Sequence, residues 1–151
     1  MAATYLVSLL VSATCFFGAF ADPVIKDPLA FKNATWAKCQ KQENAPDDVM
    51  KEFYFFTSTD RLTDYKCVVK CIQEEYGFFL KDGTLNMNLV EKTIKGMWKD
   101  PEVQQKLIMV VDKCKNSDPQ GTHKCQKNFD LLDCFIKNTK KGKINMGNRK
   151  N

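Results

Sequence analysis

Cys67 and Cys71 stand four residues apart in "TDYKCVVKCIQEEYGFF", residues 63–79. The chemistry open to such a pair is a metal site, a redox couple, or two disulfide anchors. A zinc site takes about four Cys, His or carboxylate ligands. The chain has one histidine, His123, and neither CxxC nor HExxH, so no metal and no cofactor is expected. A thioredoxin-type couple is spaced CxxC, whereas this pair is CxxxC. On a helix, Cβ atoms four residues apart are about 5–6 Å from one another, and a disulfide wants about 3.5–4.5 Å. Cys67 and Cys71 therefore face one side without bonding each other. Cys125 and Cys134 would lie about 13 Å apart along a continuous helix and also need other partners. Six cysteines allow fifteen pairings; removing these two contacts leaves ten.

No other grouping suggests catalysis. Proton transfer or nucleophilic attack needs a positioned base, and His123, after a Gly-Thr loop and beside Lys124, is expected to be exposed at a helix start. There is no Gly-rich phosphate loop or GxSxG elbow. The adjacent cysteines followed by His-Asp of a small secreted phospholipase are missing too. The expectation is a non-enzyme with no catalytic residue.

The count of six cysteines depends on the first segment. Residues 1–21 carry no charged side chain, and the apolar run ends in Ala19-Phe20-Ala21, the small-x-small pattern of a signal peptidase site. The basic residue that usually precedes such a run is missing. Removing 1–21 removes Cys15 and leaves Cys39, Cys67, Cys71, Cys114, Cys125 and Cys134, an even number suited to disulfides in an oxidising compartment. No later segment is apolar enough to span a bilayer, so a soluble secreted product is expected.

The net charge of +5 is unevenly placed. The last fifteen residues, "KNTKKGKINMGNRKN", hold six Lys/Arg and no acid, which leaves 17 Lys/Arg against 18 Asp/Glu in residues 1–136. A nearly neutral body gives no basic face of the kind nucleic-acid binding requires, so no nucleic-acid partner is expected. The divisions expected are a signal peptide, 1–21, a helical domain, 22–137, and a solvated basic tail, 138–151.

The elements that must position these cysteines are helices. Apolar residues recur with helical period and no stretch alternates as a strand. A first helix opens at Asp27-Pro28, in the cap-then-proline order favoured at helix starts. "PDDVMKEFYFF" gives a second, with Asp47 and Asp48 at its positive end. A third holds Cys67 and Cys71 and stops near Gly77. Asp82-Gly83 makes a turn, and a fourth helix carries Val90, Ile94, Met97 and Trp98 on one face. Asp100-Pro101 ends it and starts a fifth, with a stripe of Val103, Leu107, Val110, Val111 and Cys114. A sixth is expected from about His123 to Ile136, with Cys125, Phe129, Leu132 and Ile136 on one side.

The order of cysteines, with intervals of 27, 3, 42, 10 and 8 residues, resembles the six-cysteine signature of the insect odorant-binding and pheromone-binding proteins. "GFFLKDGTLN", residues 77–86, is similar to the Gly-apolar-Asp-Gly-x-Leu segment between that family's third and fourth helices. The likeness covers essentially all of 22–137. It implies an all-α fold, six helices around an apolar cavity with three interlocked disulfides. First to third, second to fifth and fourth to sixth would be Cys39–Cys71, Cys67–Cys125 and Cys114–Cys134, one of the ten patterns left open above. It also implies a carrier that takes small hydrophobic ligands such as odorants or pheromones through an aqueous fluid, for example sensillum lymph, to a membrane receptor, as a monomer or weak homodimer. Alternatives are a non-sensory carrier or scavenger of lipids and toxins, and a cationic defence protein acting on membranes.

Such a cavity binds through buried apolar area, with one or two polar groups fixing orientation. Its expected lining is Phe53, Phe78, Val90, Ile94, Met97, Trp98, Val110, Phe129, Leu132 and Phe135. Phe78, Phe79 and Leu80 would stand at the mouth, with Tyr54 and Tyr76 as polar contacts. Some members of the family release ligand at low pH through histidines and a C-terminal segment that enters the pocket. One histidine gives little charge change between pH 5 and 7, and the tail's only apolar residues are Ile144 and Met146. Release without that switch is expected. Asn33-Ala34-Thr35 is a sequon for N-glycosylation, which requires Asn33 to point outward.

Overall fold

The computed structural model of the chain describes residues 28–116 and 121–146, with side chains from Asn33 onward. The proposed signal segment lies outside the described residues. Six helices make up the fold: α1 Pro28–Glu43, α2 Asp47–Phe55, α3 Lys66–Glu75, α4 Met87–Met97, α5 Pro101–Cys114 and α6 Gln126–Lys141. A 3₁₀ turn, Arg61–Tyr65, precedes α3. The only extended pairing among the described residues is the isolated bridge Phe79–Leu85. No helix there is long and apolar enough to cross a membrane.

Local signals set most boundaries. Asp100 caps α5 by accepting from the amides of Glu102 at 2.8 Å and Val103 at 3.5 Å, two of those that a helix start leaves without partners; Pro101, at the first helical position, has no amide N–H to satisfy. Asn86 caps α4 by accepting from Leu89 N at 3.2 Å. Between α3 and α4, the Asp82 carboxylate accepts from the amide and the hydroxyl of Thr84 at 2.9 and 2.7 Å. Gly83 takes φ +79 there. α3 ends in a Schellman motif: Gly77, at φ +73, donates to Glu74 O and Phe78 donates to Gln73 O, both at 2.9 Å.

Helix α3 is central, packed against both α1 and α6, and α5 lies between α4 and α6. Val68, Val69 and Ile72 of α3 are fully buried, or nearly so. The α3–α6 contact also holds a buried amide pair, in which Asn128 Nδ2 donates to Gln73 Oε1 at 3.0 Å and Gln73 Nε2 donates to Asn128 O at 3.3 Å. Of the described side chains of α1, only Thr35 and Cys39 are buried, and Trp36 is half-buried against the core. The helix is held by a covalent link, Cys39–Cys71, from α1 to α3. Cys67–Cys125 joins α3 to the start of α6, and Cys114–Cys134 joins the end of α5 to α6. These are the three pairs that the resemblance implies, and they send Cys67 and Cys71 to different partners.

Two boundaries differ from expectation. Helix α6 starts at Gln126, with Cys125 as its cap residue, rather than near His123. It then continues past Ile136 to Lys141, so residues 138–141 are not a free tail. Thr139 is buried, and Ile144 and Met146 pack against the core. Lys137, Lys140, Lys141 and Lys143 are all exposed. Their charges stay in water while Ile136 and Thr139 face inward, so a strongly basic composition is compatible with a packed helix. Residues 147–151 lie outside the described residues.

Candidate ligand-binding site

The ten residues expected to line a cavity come together. Phe53 of α2, Val90 and Ile94 of α4, Trp98 just beyond α4, and Phe129, Leu132 and Phe135 of α6 are buried in one apolar cluster. Phe78, Met97 and Val110 are half-buried and pack against it. The helical spacing of α4 and α6 accounts for most of this convergence, since residues three and four apart share a face.

Aromatic rings run across the cluster from α1 to α6. Trp36 meets Phe53 with centroids 4.8 Å apart, Phe53 meets Phe56 at 6.4 Å, and Phe56 meets Phe135 at 5.7 Å. The last two are edge-to-face, a favoured geometry for such pairs. Trp36 and Phe56 were not foreseen, because each belongs to a segment without a clean apolar stripe. Leu62, fully buried, was missed for the same reason: it sits in the 3₁₀ turn among Asp, Arg and Thr.

Three polar groups border the apolar set. Trp36 Nε1 donates to the Tyr76 hydroxyl at 3.1 Å. Burial pushes the Tyr76 phenol above the ordinary tyrosine value, and the hydrogen bond from Trp36 opposes that. Tyr76 also stacks on Phe78 at 5.6 Å. Trp98 Nε1 donates to Met146 O at 3.3 Å, which fastens the segment after α6 onto the cluster. Tyr54 stands edge-on to Trp36 at the surface. Leu80 is half exposed, and Phe79 lines a separate surface cleft.

Clefts of about 310 Å³ and about 210 Å³ open among the described residues. The larger is bounded by the 79–87 turn, the end of α5 and the start of α6, the smaller by the 3₁₀ turn, Cys67 and His123. None of the ten cluster residues lines either one.

His123 is exposed and accepts from the amide of Cys125 through Nδ1 at 3.2 Å. A ring nitrogen of His123 and the sulfurs of Cys67 and Cys125 lie within 4.8 Å of one another. The two sulfurs are bonded to each other, and thiolates are what bind a metal, so the disulfide-bonded protein offers no cysteine ligand there. Asn33 is exposed on α1, as a glycan requires.

With this geometry in view, comparison with known proteins is specific. Residues 31–138 match the sequence model of the PBP/GOBP family. General odorant-binding protein 1 of Heliothis virescens is 19% identical over 126 residues, covering 78% of this chain and 77% of that protein. The crystal structure of pheromone binding protein 3 of Epiphyas postvittana is 20% identical, with a TM-score of 0.61 over 75% of this chain and 97% of that one. An odorant-binding protein of Drosophila melanogaster superposes with a TM-score of 0.60 at 19% identity, covering 77% and 95% of the two chains. At these identities the structural likeness is one of fold.

Proposed function

This chain belongs to the PBP/GOBP family, and on that premise we propose that it is an extracellular carrier of small hydrophobic ligands, without enzymatic activity. The ligands are odorants, pheromones or similar semiochemicals, held among the side chains of the core and carried through an aqueous fluid to a receptor. Residues 1–21 direct secretion and are removed. The supporting observation is the meeting of the ten residues named above in a single apolar cluster, in a fold tied by three disulfides. Burying ligand carbon contributes roughly 25 cal/mol per Å², so a ligand losing about 300 Å² of apolar surface gains about 7 kcal/mol before the costs of association.

Within that site, Tyr76 is the polar group best placed to orient a ligand oxygen, since its hydroxyl stands at the edge of the apolar cluster, beside Trp36 and Phe78. Release proceeds without a histidine-and-tail switch, because the chain has a single histidine, exposed at the surface. Binding of a fluorescent hydrophobic probe should therefore agree within about threefold between pH 7.4 and pH 5.0; a loss of more than tenfold at pH 5.0 would contradict this.

Filling the cluster tests its role as the binding site. Leu132→Trp adds a large ring within the buried cluster, and it should weaken probe binding by about tenfold or more while helicity is retained. Unchanged probe affinity in a folded Leu132→Trp protein would place the ligand elsewhere.

A further inference from the structure

The 310 Å³ cleft differs chemically from the core cluster. Phe79, Leu85, Met87 and Leu131 supply its apolar wall, and Lys115 and Lys127 stand among its polar lining. Among the described residues no carboxylate lines it, whereas the smaller cleft mixes Glu43 and Asp64 with Lys66 and His123. We propose that the larger cleft is a second binding site, taking an amphiphilic anion with one carboxylate head and a short alkyl chain.

The two lysines are positioned but not saturated. Lys127 Nζ donates to Gly83 O at 2.6 Å and lies 5.9 Å from the centre of the Phe79 ring. Lys115 Nζ pairs with Asp112 at 2.5 Å on its own helix. An ammonium carries three N–H donors, so each keeps capacity for a carboxylate oxygen. Asp82 and Asp112 are near these lysines but are not part of the lining, so the charge that the described lining presents is positive. Lys127 also sits in the first turn of α6, the positive end of that helix; the negative end of α5 opposes it and is partly offset by Lys115 itself.

The walls are fixed before any ligand arrives. Cys114–Cys134 ties the end of α5 to α6. The Phe79–Leu85 bridge shapes the turn, and the Lys127–Gly83 hydrogen bond holds it against α6. A site already ordered loses less freedom on binding. A volume near 310 Å³ is at the small end of ligand pockets, which fits a chain of about ten carbons better than a long-chain lipid.

Matched ligands test this, using the intact disulfide-bonded protein. Decanoate and 1-decanol share a tail and differ in the charged head. By isothermal titration, decanoate should bind the natural protein, and Lys115→Gln/Lys127→Gln should lower its affinity about tenfold or more without changing that of 1-decanol. Leu132→Trp, in the core, should do the reverse, weakening 1-decanol and sparing decanoate. Absence of decanoate binding, an unchanged decanoate affinity in the lysine double variant, or an equal loss for both ligands would each overturn the second site. Those outcomes leave the carrier proposal standing, because it rests on 1-decanol and the Leu132 variant.

Discussion

Trp36 and Tyr76 are forty residues apart and share one hydrogen bond at the edge of the apolar cluster. The sequence suggested Tyr76 as a polar contact for a ligand; its bond to Trp36 was not foreseen, since the meeting depends on α1 docking against α3. The elevated phenol gives the pair a signature in alkaline solution. A tyrosine whose folded value is raised binds its proton more tightly in the native state, so its contribution is complete below the ordinary tyrosine value near pH 10. That contribution is lost as pH rises from there through the folded value. Tyr76→Phe should therefore flatten the fall in stability above about pH 10, while costing about 1 kcal/mol at pH 7 because Trp36 Nε1 loses its acceptor. Urea unfolding from pH 7 to 11 measures both. An equally steep alkaline fall in the variant would assign the loss to other groups.

At the scale of elements, helix ends show what local chemistry reveals and what it hides. Asp100-Pro101 and Asp82-Gly83 were readable because cap and turn signals act within a few residues. The extension of α6 was not, because four exposed lysines mask the inward spacing of Ile136 and Thr139. Helix α6 also ends in a Schellman motif: Lys143 donates to Lys140 O and Ile144 donates to Thr139 O, both at 3.0 Å, with Lys143 at φ +50. Helix α2 repeats it with Phe56 at φ +53, donating to Phe53 O at 3.1 Å, while Thr57 donates to Glu52 O at 3.0 Å. An L-residue in this left-handed region costs roughly 1–2 kcal/mol, and glycine avoids the penalty. Lys143→Gly should thus stabilise by about 1 kcal/mol, since that side chain is exposed. Phe56→Gly should instead destabilise by about 2 kcal/mol, because loss of a ring between Phe53 and Phe135 outweighs the relieved strain. Opposite signs in chemical denaturation are the expected result; two stabilised variants would mean that the Phe56 ring contributes little.

Over the whole molecule, cysteine spacing was the most informative feature of the sequence. Helix geometry alone excluded Cys67–Cys71 and Cys125–Cys134 but left ten pairings, and the resemblance supplied one of them. The structure ties α1, α3, α5 and α6 together through that set, each link contributing typically about 2–4 kcal/mol. The apolar faces of α4, α5 and α6 were legible as stripes. Their convergence with Leu62, Phe56 and Trp36 was not, because those three residues gain their burial from long-range packing rather than from periodicity. The proposed carrier role rests on this apolar cluster in its disulfide-tied frame. The direct measurement is displacement of a bound fluorescent hydrophobic probe by a panel of alcohols, aldehydes, terpenes and fatty acids. Displacement at micromolar concentration by some members of the panel is the predicted result, and a probe that fails to bind, or that no member displaces, would contradict the carrier function.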